Sequence, residues 1–299
     1  VLVVTCLGEV PPSDYPLKVF EPIGEVTLPE YPHQPLRVPP VLDVIEFLER
    51  ERVDQVLIST PGPIGLCGLW AARLLALRQA GIYHTDFPDY IRLWTEDDLM
   101  RDLAVRYMRW FYGQLDRVYV PSQATFRQLV DMGLDANRLA VMPRGIDLEQ
   151  FSPSWRTPSL WEQFGVNGGV KFLYVGRIAR EKNLDLLIEA FRRLGAERAE
   201  AVLILVGDGP QLSELRTRHA GDPRVVFTGA LYGSELARAY ASADVFVFPS
   251  QTDTFGNAVI EAHASGLPAI VAARGGPPEI VRSHGSGIVV ERDDADAWA

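Results

Sequence analysis

The amino-acid sequence predicts an α/β protein with two domains, each built on an open, doubly wound parallel sheet. Its 299 residues are enough for two ordinary hydrophobic cores. From residue 170 onward, short apolar runs alternate with segments of helical periodicity. These runs consist mostly of Val, Ile, Leu and Phe, as in parallel strands that helices cover on both faces. Two such domains would face each other across a cleft.

The second half of the chain carries the clearest pattern. Its strands are expected at the apolar runs VKFLYVG, AVLILVG, RVVFTG, DVFVFPS, PAIVA and GIVV. Helices are expected between them, near residues 183–195, 210–220, 233–242, 256–265 and 276–283. Ligands of open α/β sheets bind beyond the carboxyl ends of the strands, so the loops after these runs are where a site is expected.

The first half repeats this pattern less regularly. Strands are expected at VLVVTC, QVLIST, RVYV and LAVM, and helices near residues 41–51, 65–80, 97–114 and 122–132. Prolines are dense between Glu21 and Pro40, and each removes a backbone donor, so no regular structure is expected there. The proline-marked stretch FSPSWRTPSL is expected to link an N-terminal domain of residues 1–155 to a C-terminal domain of residues 156–299.

Composition limits the possible partners. With 29 basic and 39 acidic residues the net charge is −10 at pH 7, so no nucleic-acid binding is expected. No run approaches the roughly 20 apolar residues that cross a bilayer, and no signal segment opens the chain, which favours a cytoplasmic protein. Cys6 and Cys67 are too few for a disulfide framework, and Cys67 is expected to be a core thiol. The histidines show no ligand spacing, so no metal site is expected.

Two loops of the second half contain glycine after a predicted strand. The loop GRIAREKN, which begins at Gly176, brings Arg177 and Lys182 to a strand end, where a diphosphate would meet two cations and a helix N-terminus. A solvated basic loop is the alternative. The loop VGDGP contains G-x-G but lacks the third glycine of a dinucleotide fingerprint, so it predicts a tight turn and no NAD site.

The stretch FGNAVIEAHASG combines a helix start with a carboxylate. Gly256 would let a ligand approach the backbone, and Glu261 could accept two hydrogen bonds from a vicinal diol such as a ribose. Asp253 precedes it in the same loop and is either a ligand of sugar hydroxyls or a surface acid. In the next loop, ARGGPPEIV, Glu279 either faces the same ligand or belongs to a purely structural turn.

In order and spacing, these motifs resemble the donor-binding half of the retaining nucleotide-sugar glycosyltransferases of family 4, also called glycosyl transferases group 1. The resemblance rests on G-R-x-x-x-E-K-N, G-D-G-P, F-x-G, Y-x-x-A-D-V-F-V-F-P-S, F-G-N-A-V-I-E-A-x-A-S-G-x-P and G-G-P-x-E-I-V, over about residues 117 to 290. In the first half, YHTDFPDY and PRGIDLEQFSP are also similar to the family. The family's fold, GT-B, places two Rossmann-like domains on either side of a cleft.

The resemblance implies a role for each matching residue. Arg177 and Lys182 would bind the diphosphate of the donor, and Glu261 would hold its ribose hydroxyls. Asp253, where the family has a glutamate, would contact the transferred sugar. His84 matches a histidine near that sugar, although the residues alone would favour a satisfied core histidine. The remaining donor contacts that the resemblance implies are Gly176 in the diphosphate loop, Ala230 and Leu231 beside the nucleobase, and the backbone amides of Phe255, Gly256 and Asn257.

The chain also departs from the family pattern. VLVVTCLGEVPP is similar to a later strand of the family, whose first strand and glycine-rich loop have no counterpart here, and ADAWA ends short of the family's terminal helices. A form truncated at both ends is therefore expected. Arg144 stands where the family has a small or amide residue, and no task is assigned to it.

The expected reaction is transfer of a hexosyl group from a nucleoside-diphosphate sugar to an acceptor hydroxyl, with retention and without a metal or other cofactor. GDP-mannose or a UDP-hexose is the favoured donor, and a lipid or glycan is the expected acceptor. Two alternatives stay open, a sugar-nucleotide epimerase of the same fold and a non-catalytic sugar-nucleotide-binding fragment. The stretch RDLAVRYMRWF is either a core-packed amphipathic helix or a peripheral contact with an anionic membrane.

Overall fold

The chain folds into two compact units in the computed structural model, which describes residues 1–7, 15–28, 31–142, 144–194 and 200–299. The first unit comprises Val1–Pro121 and Phe126–Met142, and the second comprises Ser122–Thr125 and Pro143–Ala299. The division falls at residue 143 rather than after residue 155. Residues 144–155 join the second unit because Ile146 and Phe151 pack against its core.

The first unit begins with two small two-stranded sheets. Strands β1 (Val3–Cys6) and β2 (Leu17–Phe20) pair in parallel, and strands β3 (Gly24–Leu28) and β4 (Tyr31–Val38) pair antiparallel. The prediction that residues 21–40 lack regular structure is therefore wrong. A two-stranded sheet leaves one edge of each strand without a partner, and a proline is tolerated where its missing donor faces that edge.

A parallel four-stranded sheet completes the first unit, with its strands adjacent in chain order. They are β5 (Gln55–Ile58), β6 (Arg78–Ile82), β7 (Arg117–Val120) and β8 (Leu139–Val141). The helices of this part of the chain are α1 (Val41–Arg50), α2 (Pro63–Leu74), α3 (Phe87–Thr95), α4 (Asp98–Gly113) and α5 (Gln123–Asp131).

One predicted helix of the first unit is too long. The helix expected over residues 65–80 ends at Leu74, and β6 follows it. Ala76 adopts a φ of +54°, which helical residues do not adopt, and Gly81 packs so closely that a Cβ there would lie 2.4 Å from Leu115 Cδ1. Pairing of residues 78–82 with β5 and β7, together with this close packing at Gly81, therefore overrides the helical pattern. The expected core thiol is confirmed, since Cys67 is buried and burial raises its pKa to about 11.

The second unit contains a six-stranded parallel sheet in the order β11-β10-β9-β12-β13-β14. Its strands are β9 (Lys171–Val175), β10 (Val202–Val206), β11 (Val225–Gly229), β12 (Val245–Phe248), β13 (Ala269–Ala272) and β14 (Gly287–Val290). Its helices are α6 (Leu184–Leu194), α7 (Leu212–Arg218), α8 (Gly233–Ala241), α9 (Asn257–Ala264), α10 (Pro277–His284) and α11 (Ala295–Trp298). All six predicted strands of this half are confirmed.

The strand order of the second unit explains both its core and the place of its ligand site. Leu203, Ile204 and Leu205 follow one another in β10 and are all 0% exposed, because helices cover both faces of the sheet. The chain direction across the sheet reverses between β9 and β12, so this sheet is doubly wound. Such a switch point opens a crevice at the carboxyl ends of the two strands. Within the part of the chain that the structure describes, no helix is both long and apolar enough to cross a membrane.

Candidate functional site

The loops after β9 and β10 are packed backbone to backbone. A Cβ on Gly207 would lie 1.8 Å from the carbonyl oxygen of Gly176, and one on Gly209 would lie 2.4 Å from that of Ile178. The backbone N–H of Ile178 donates to the carbonyl oxygen of Asp208 at 2.8 Å. The two glycines of VGDGP therefore allow the two loops to meet.

The loop after β12 is held in the same way by the loop after β13. A Cβ on Gly275 would lie 2.2 Å from the carbonyl oxygen of Asp253, and one on Gly276 would lie 2.5 Å from the Cα of Phe255. The N–H of Gly276 donates to that Asp253 oxygen at 2.8 Å. Gly256 has a φ of +99°, which favours glycine, and turns the chain into α9. The loop after β13 thus fixes the backbone of Asp253 at its carbonyl oxygen.

The two predicted cations lie in the loop after β9, and each is paired with an acid. Lys182 Nζ donates to Asp253 Oδ2 at 2.6 Å, and these side chains are 10% and 23% exposed. The same Nζ lies 5.7 Å from the ring centroid of Phe248. The Arg177 guanidinium donates to Glu181, whose side chain is only 2% exposed. Ion pairs this poorly hydrated interact more strongly than exposed ones.

The predicted ribose ligand, Glu261, lies on α9 and has a buried partner. Its Oε2 accepts a hydrogen bond of 2.7 Å from the hydroxyl of Tyr240, a side chain that is 0% exposed. Burial raises the pKa of Glu261 above its ordinary value, and the hydrogen bond from Tyr240 opposes the rise. Burial and the nearby carboxylate raise the pKa of Tyr240 well above its ordinary value, so its hydroxyl is a stable donor.

A row of three rings connects Glu261 with the Lys182 pair. The rings of Phe248 and Phe246 have centroids 5.8 Å apart, and those of Phe246 and Tyr240 also lie 5.8 Å apart. Lys182 stands over one end of this row, and Tyr240 holds Glu261 at the other. Rigid aromatic packing therefore sets the distance between the two charged parts of the site.

The remaining predicted donor contacts lie at the same edge of the sheet. Ala230 and Leu231 are half-buried in the segment between β11 and α8, and Leu231 packs against the core. Phe255 is half-buried, and Asn257 is exposed as the first residue of α9. This edge unites the loops because all six strands of the sheet are parallel.

Glu279 has a structural partner. Its carboxylate accepts hydrogen bonds from the backbone N–H groups of Gln123 at 3.3 Å and Ala124 at 3.1 Å, at the start of α5. The neighbouring Ser122 hydroxyl donates to the carbonyl oxygen of Thr254 at 2.8 Å. Because of such contacts, Ser122–Thr125 group with the second unit, although α5 is one continuous helix. Of the two roles open for Glu279, the structure supports the structural one.

His84 lies in the first unit, just beyond the carboxyl end of β6, and it is exposed. It is therefore not a core histidine. Nearby Asp86 is 5% exposed and accepts hydrogen bonds from Gln128 Nε2 at 2.6 Å and from the N–H of Asp89 at 3.4 Å. Burial, followed by the charge of Asp89, raises the pKa of Asp86. The loop that carries His84 is thus anchored at a buried carboxyl group.

Sequence reasoning missed three polar residues, Glu181, Tyr240 and Asp86. Glu181 and Tyr240 lie inside motifs that the sequence analysis used, and a glutamate between two cations is itself a signal of pairing. Asp86 also lies inside a quoted motif, YHTDFPDY, but its partner Gln128 is distant in sequence, so no local pattern indicated their contact. Among the described residues, no group of three or more His, Cys, Asp or Glu side chains is arranged to hold a metal ion.

The fold and this site define a GT-B type α/β protein. HepE of Anabaena, solved in complex with UDP and glucose, superimposes with a TM-score of 0.73 and 21% identity, over 95% of this chain and 75% of that one. Residues 1–150 match the family model described as Glycosyltransferase Family 4, and residues 169–299 match Glycosyl transferases group 1. The chain therefore belongs to glycosyltransferase family 4.

Two curated relatives are similar over most of the chain. The sulfoquinovosyl transferase SQD2 of Arabidopsis thaliana is 35% identical over 286 residues, which are 94% of this chain and 54% of the relative. A GDP-mannose-dependent alpha-mannosyltransferase of Mycobacterium tuberculosis is 36% identical over 256 residues, which are 86% of this chain and 65% of the relative. The chain thus spans 54% and 65% of the length of these two proteins.

Proposed function

We propose that this chain is part of a retaining glycosyltransferase that moves a hexosyl group from a nucleoside-diphosphate sugar to an acceptor hydroxyl. The observation that carries the proposal is the contact of Lys182 with Asp253 at the switch point of the second sheet, with Glu261 held on the neighbouring helix. Cations suit a diphosphate, and carboxylates suit the hydroxyls of a sugar and a ribose. The names of the two relatives support glycosyl transfer.

Each group has a proposed task in the reaction. Arg177, Lys182 and the amides of Phe255–Asn257 neutralise the diphosphate as it departs, where charge grows in the transition state. Glu261 accepts hydrogen bonds from the ribose, and Asp253 and His84 contact the transferred sugar. In a same-face displacement, the acceptor oxygen bonds to the sugar carbon as its bond to the diphosphate breaks. The acceptor proton passes to the departing phosphate oxygen, and no cofactor besides the donor is needed.

For the donor we propose GDP-mannose or a UDP-hexose. GDP-mannose is supported by the name of the mycobacterial relative, and a UDP-hexose is supported by the complex of HepE with UDP and glucose. The nucleobase is proposed to lie beside Ala230 and Leu231, and the diphosphate beside Gly176. Both positions follow strands of one parallel sheet, so a single extended donor would reach them along the carboxyl edge.

For the acceptor we propose a lipid or glycan hydroxyl, reached by a cytoplasmic protein that contacts the membrane peripherally. Helix α4 exposes a stripe at helical spacing that contains Leu99 (63% exposed), Leu103 (47%), Arg106 and Trp110 (46%). The opposite face of the helix is buried through Phe111 and its neighbours, so core packing leaves this stripe exposed. Apolar side chains beside an arginine suit the headgroup region of an anionic membrane.

Isothermal titration with UDP, GDP and ADP tests the donor site. At least one diphosphate should bind, and Lys182→Ala and Glu261→Ala should each weaken binding. Glu291→Gln removes one negative charge from an exposed pair with Arg282 and serves as the control. The donor site is wrong if no diphosphate binds, or if both variants bind like the wild type. Product analysis without any acceptor separates the two reactions, because an epimerase would still convert the sugar nucleotide and a transferase would not transfer its hexose. Comparing the activity of the full-length protein with that of this chain tests the third possibility, a non-catalytic fragment.

A further inference from the structure

The two cations of the proposed diphosphate site are already matched by two acids. Lys182 pairs with Asp253, and Arg177 pairs with Glu181. An arriving diphosphate would therefore meet these two cations with a carboxylate already bound to each. To bind either cation, the oxygens of the diphosphate must share it with the carboxylate or replace the carboxylate.

The two pairs differ in how easily their acid can leave. The Glu181 side chain is 2% exposed, so turning it away from Arg177 would strand a buried charge. The planar guanidinium also has five N–H donors and can hold Glu181 and a phosphate together. The Asp253 side chain is 23% exposed and can turn toward solvent or a ligand. Exchange is therefore favoured at the Lys182 pair alone.

Asp253 cannot leave by a backbone movement. Its carbonyl oxygen accepts a hydrogen bond of 2.8 Å from Gly276 N–H, and a Cβ on Gly275 would lie 2.2 Å from the same oxygen. Only a rotation of its short side chain can separate the carboxylate from Lys182. That rotation keeps the carboxylate in the loop between β12 and α9, where the proposed function has Asp253 contact the hexose.

We propose that Asp253 competes with the donor's diphosphate for Lys182. When the intact donor binds, phosphate oxygens replace the carboxylate at Lys182, and the displaced carboxylate accepts hydrogen bonds from hexose hydroxyls. A nucleoside diphosphate without the sugar must break the same pair but offers Asp253 no new partner. The pair therefore discriminates between intact donor and spent nucleotide, and its closure helps to release the product. This inference rests on the proposed function, since it assigns Lys182 to the diphosphate.

Replacing the competitor gives a result that a simple ligand would not give. Asp253→Asn should bind the nucleoside diphosphate more tightly than the wild type does, by roughly fivefold, because Lys182 loses its anionic competitor. Binding of the intact donor should not gain, because the amide is a poorer acceptor for sugar hydroxyls. The measurement is isothermal titration with UDP and GDP and with their sugar conjugates. Glu291→Gln, which removes the same charge from an exposed pair, should change neither affinity.

Two further variants make the test independent of folding. Asp253→Ser should bind the nucleoside diphosphate more tightly by a similar factor. Thermal unfolding shows whether each variant remains folded. In a Lys182→Met background, Asp253→Asn should no longer tighten diphosphate binding, because the contested cation is gone.

Every outcome of the titration decides. Unchanged or weaker diphosphate binding by folded Asp253→Asn would mean that the carboxylate orients Lys182, and the competition is then refuted. In both of these cases, diphosphate binding by the wild type would still support the proposed donor site. Binding by the variant alone would support strong competition. Binding by neither protein would overturn both the inference and the proposed function.

Discussion

The two units share one layout but differ in continuity. In the second unit one six-stranded sheet has its first strand, β9, in the middle, between β10 and β12. In the first unit, β1–β2 and β5–β8 are separate sheets, and a cavity of about 520 Å³ lies against residues of β1, β5, α1 and α2. The predicted diphosphate and ribose ligands all lie in the continuous unit. Ligand groups that must hold their distances are thus found where packing is uninterrupted.

This difference predicts unequal stability. A continuous sheet buried on both faces opens only with its whole core, whereas the edge strand β5 beside a cavity has fewer neighbours to hold it. We expect amide hydrogens of β9 and β10 to exchange more slowly than those of β5. Substitutions in both units break or sharpen the comparison, and the largest effect is expected from a change of backbone packing in the second unit.

Gly207→Ala should destabilise the second unit by about 3 kcal/mol or more, because its Cβ would lie 1.8 Å from the backbone oxygen of Gly176. Urea unfolding measures the loss, and hydrogen exchange should localise it to β9 and β10. Gly221→Ala is the matched control, since nothing lies within 4 Å of a Cβ there. Equal stability of the two variants would show that the loops after β9 and β10 yield easily.

Lys182→Met should weaken nucleoside-diphosphate binding by roughly 2 to 3 kcal/mol, the usual loss for one partner of a poorly hydrated charge pair. His84→Ala should leave that affinity nearly unchanged, because the proposed nucleotide contacts all lie in the second unit. Titration of both variants with UDP and GDP gives the comparison. A loss for His84→Ala as large as that for Lys182→Met would contradict a nucleotide site confined to one unit.

Glu261 should make donor binding depend on pH. Burial raises its pKa above the ordinary value of 4.5, so the carboxylate is protonated at a higher pH than usual and loses acceptor capacity. Affinity should therefore fall as the pH drops through that raised pKa. Tyr240→Phe removes the hydrogen bond that lowers the pKa of Glu261, so the fall in affinity should move to higher pH. The lost hydrogen bond should also lower the free energy of unfolding by about 1 kcal/mol. Glu261→Gln should flatten the profile, and a pH dependence that survived in it would assign the titration to another group.

The smallest effect is expected in the first unit, at Asp86. Its folded-state pKa is raised above the ordinary 3.8, so its contribution to stability is fully present below that value and is lost as the pH rises through the raised pKa. Asp86→Asn carries no such charge, so its stability relative to the wild type should rise with pH, by on the order of 1 kcal/mol. Urea unfolding from pH 3 to pH 7 measures the difference. Parallel pH profiles for the two proteins would mean that Asp86 does not titrate in this window.

The fold was more predictable in the second unit than in the first. A strand that helices cover on both faces must be apolar throughout, so all six strands of the second sheet could be predicted from short apolar runs. In the first unit, β6 was not predictable from its sequence, RQAGI. Its small residues suit close packing between β5 and β7, but they show no strand pattern. The pairing of β3 with β4 was not predicted either, because prolines usually indicate irregular structure, although the unpaired edge of a strand tolerates them.

The candidate site was partly predictable for a similar reason. Position after an apolar run places Arg177, Lys182 and Asp253 at the carboxyl edge, because parallel strands all end on one side. The pairing of these charges was not predictable. Lys182 and Asp253 are 71 residues apart, and their contact depends on β9 and β12 being neighbours.

The sequence by itself determined the α/β class, the alternation of strands and helices, and the edge of the second sheet at which charged residues collect. These follow from local periodicity and from strand direction, which are written along the chain. Only the tertiary structure decided that Asp253 and Glu181 neutralise the two cations, that Tyr240 supports Glu261, and that the division falls at residue 143. Such contacts join distant segments, and their geometry depends on strand order and close packing, which no local pattern encodes.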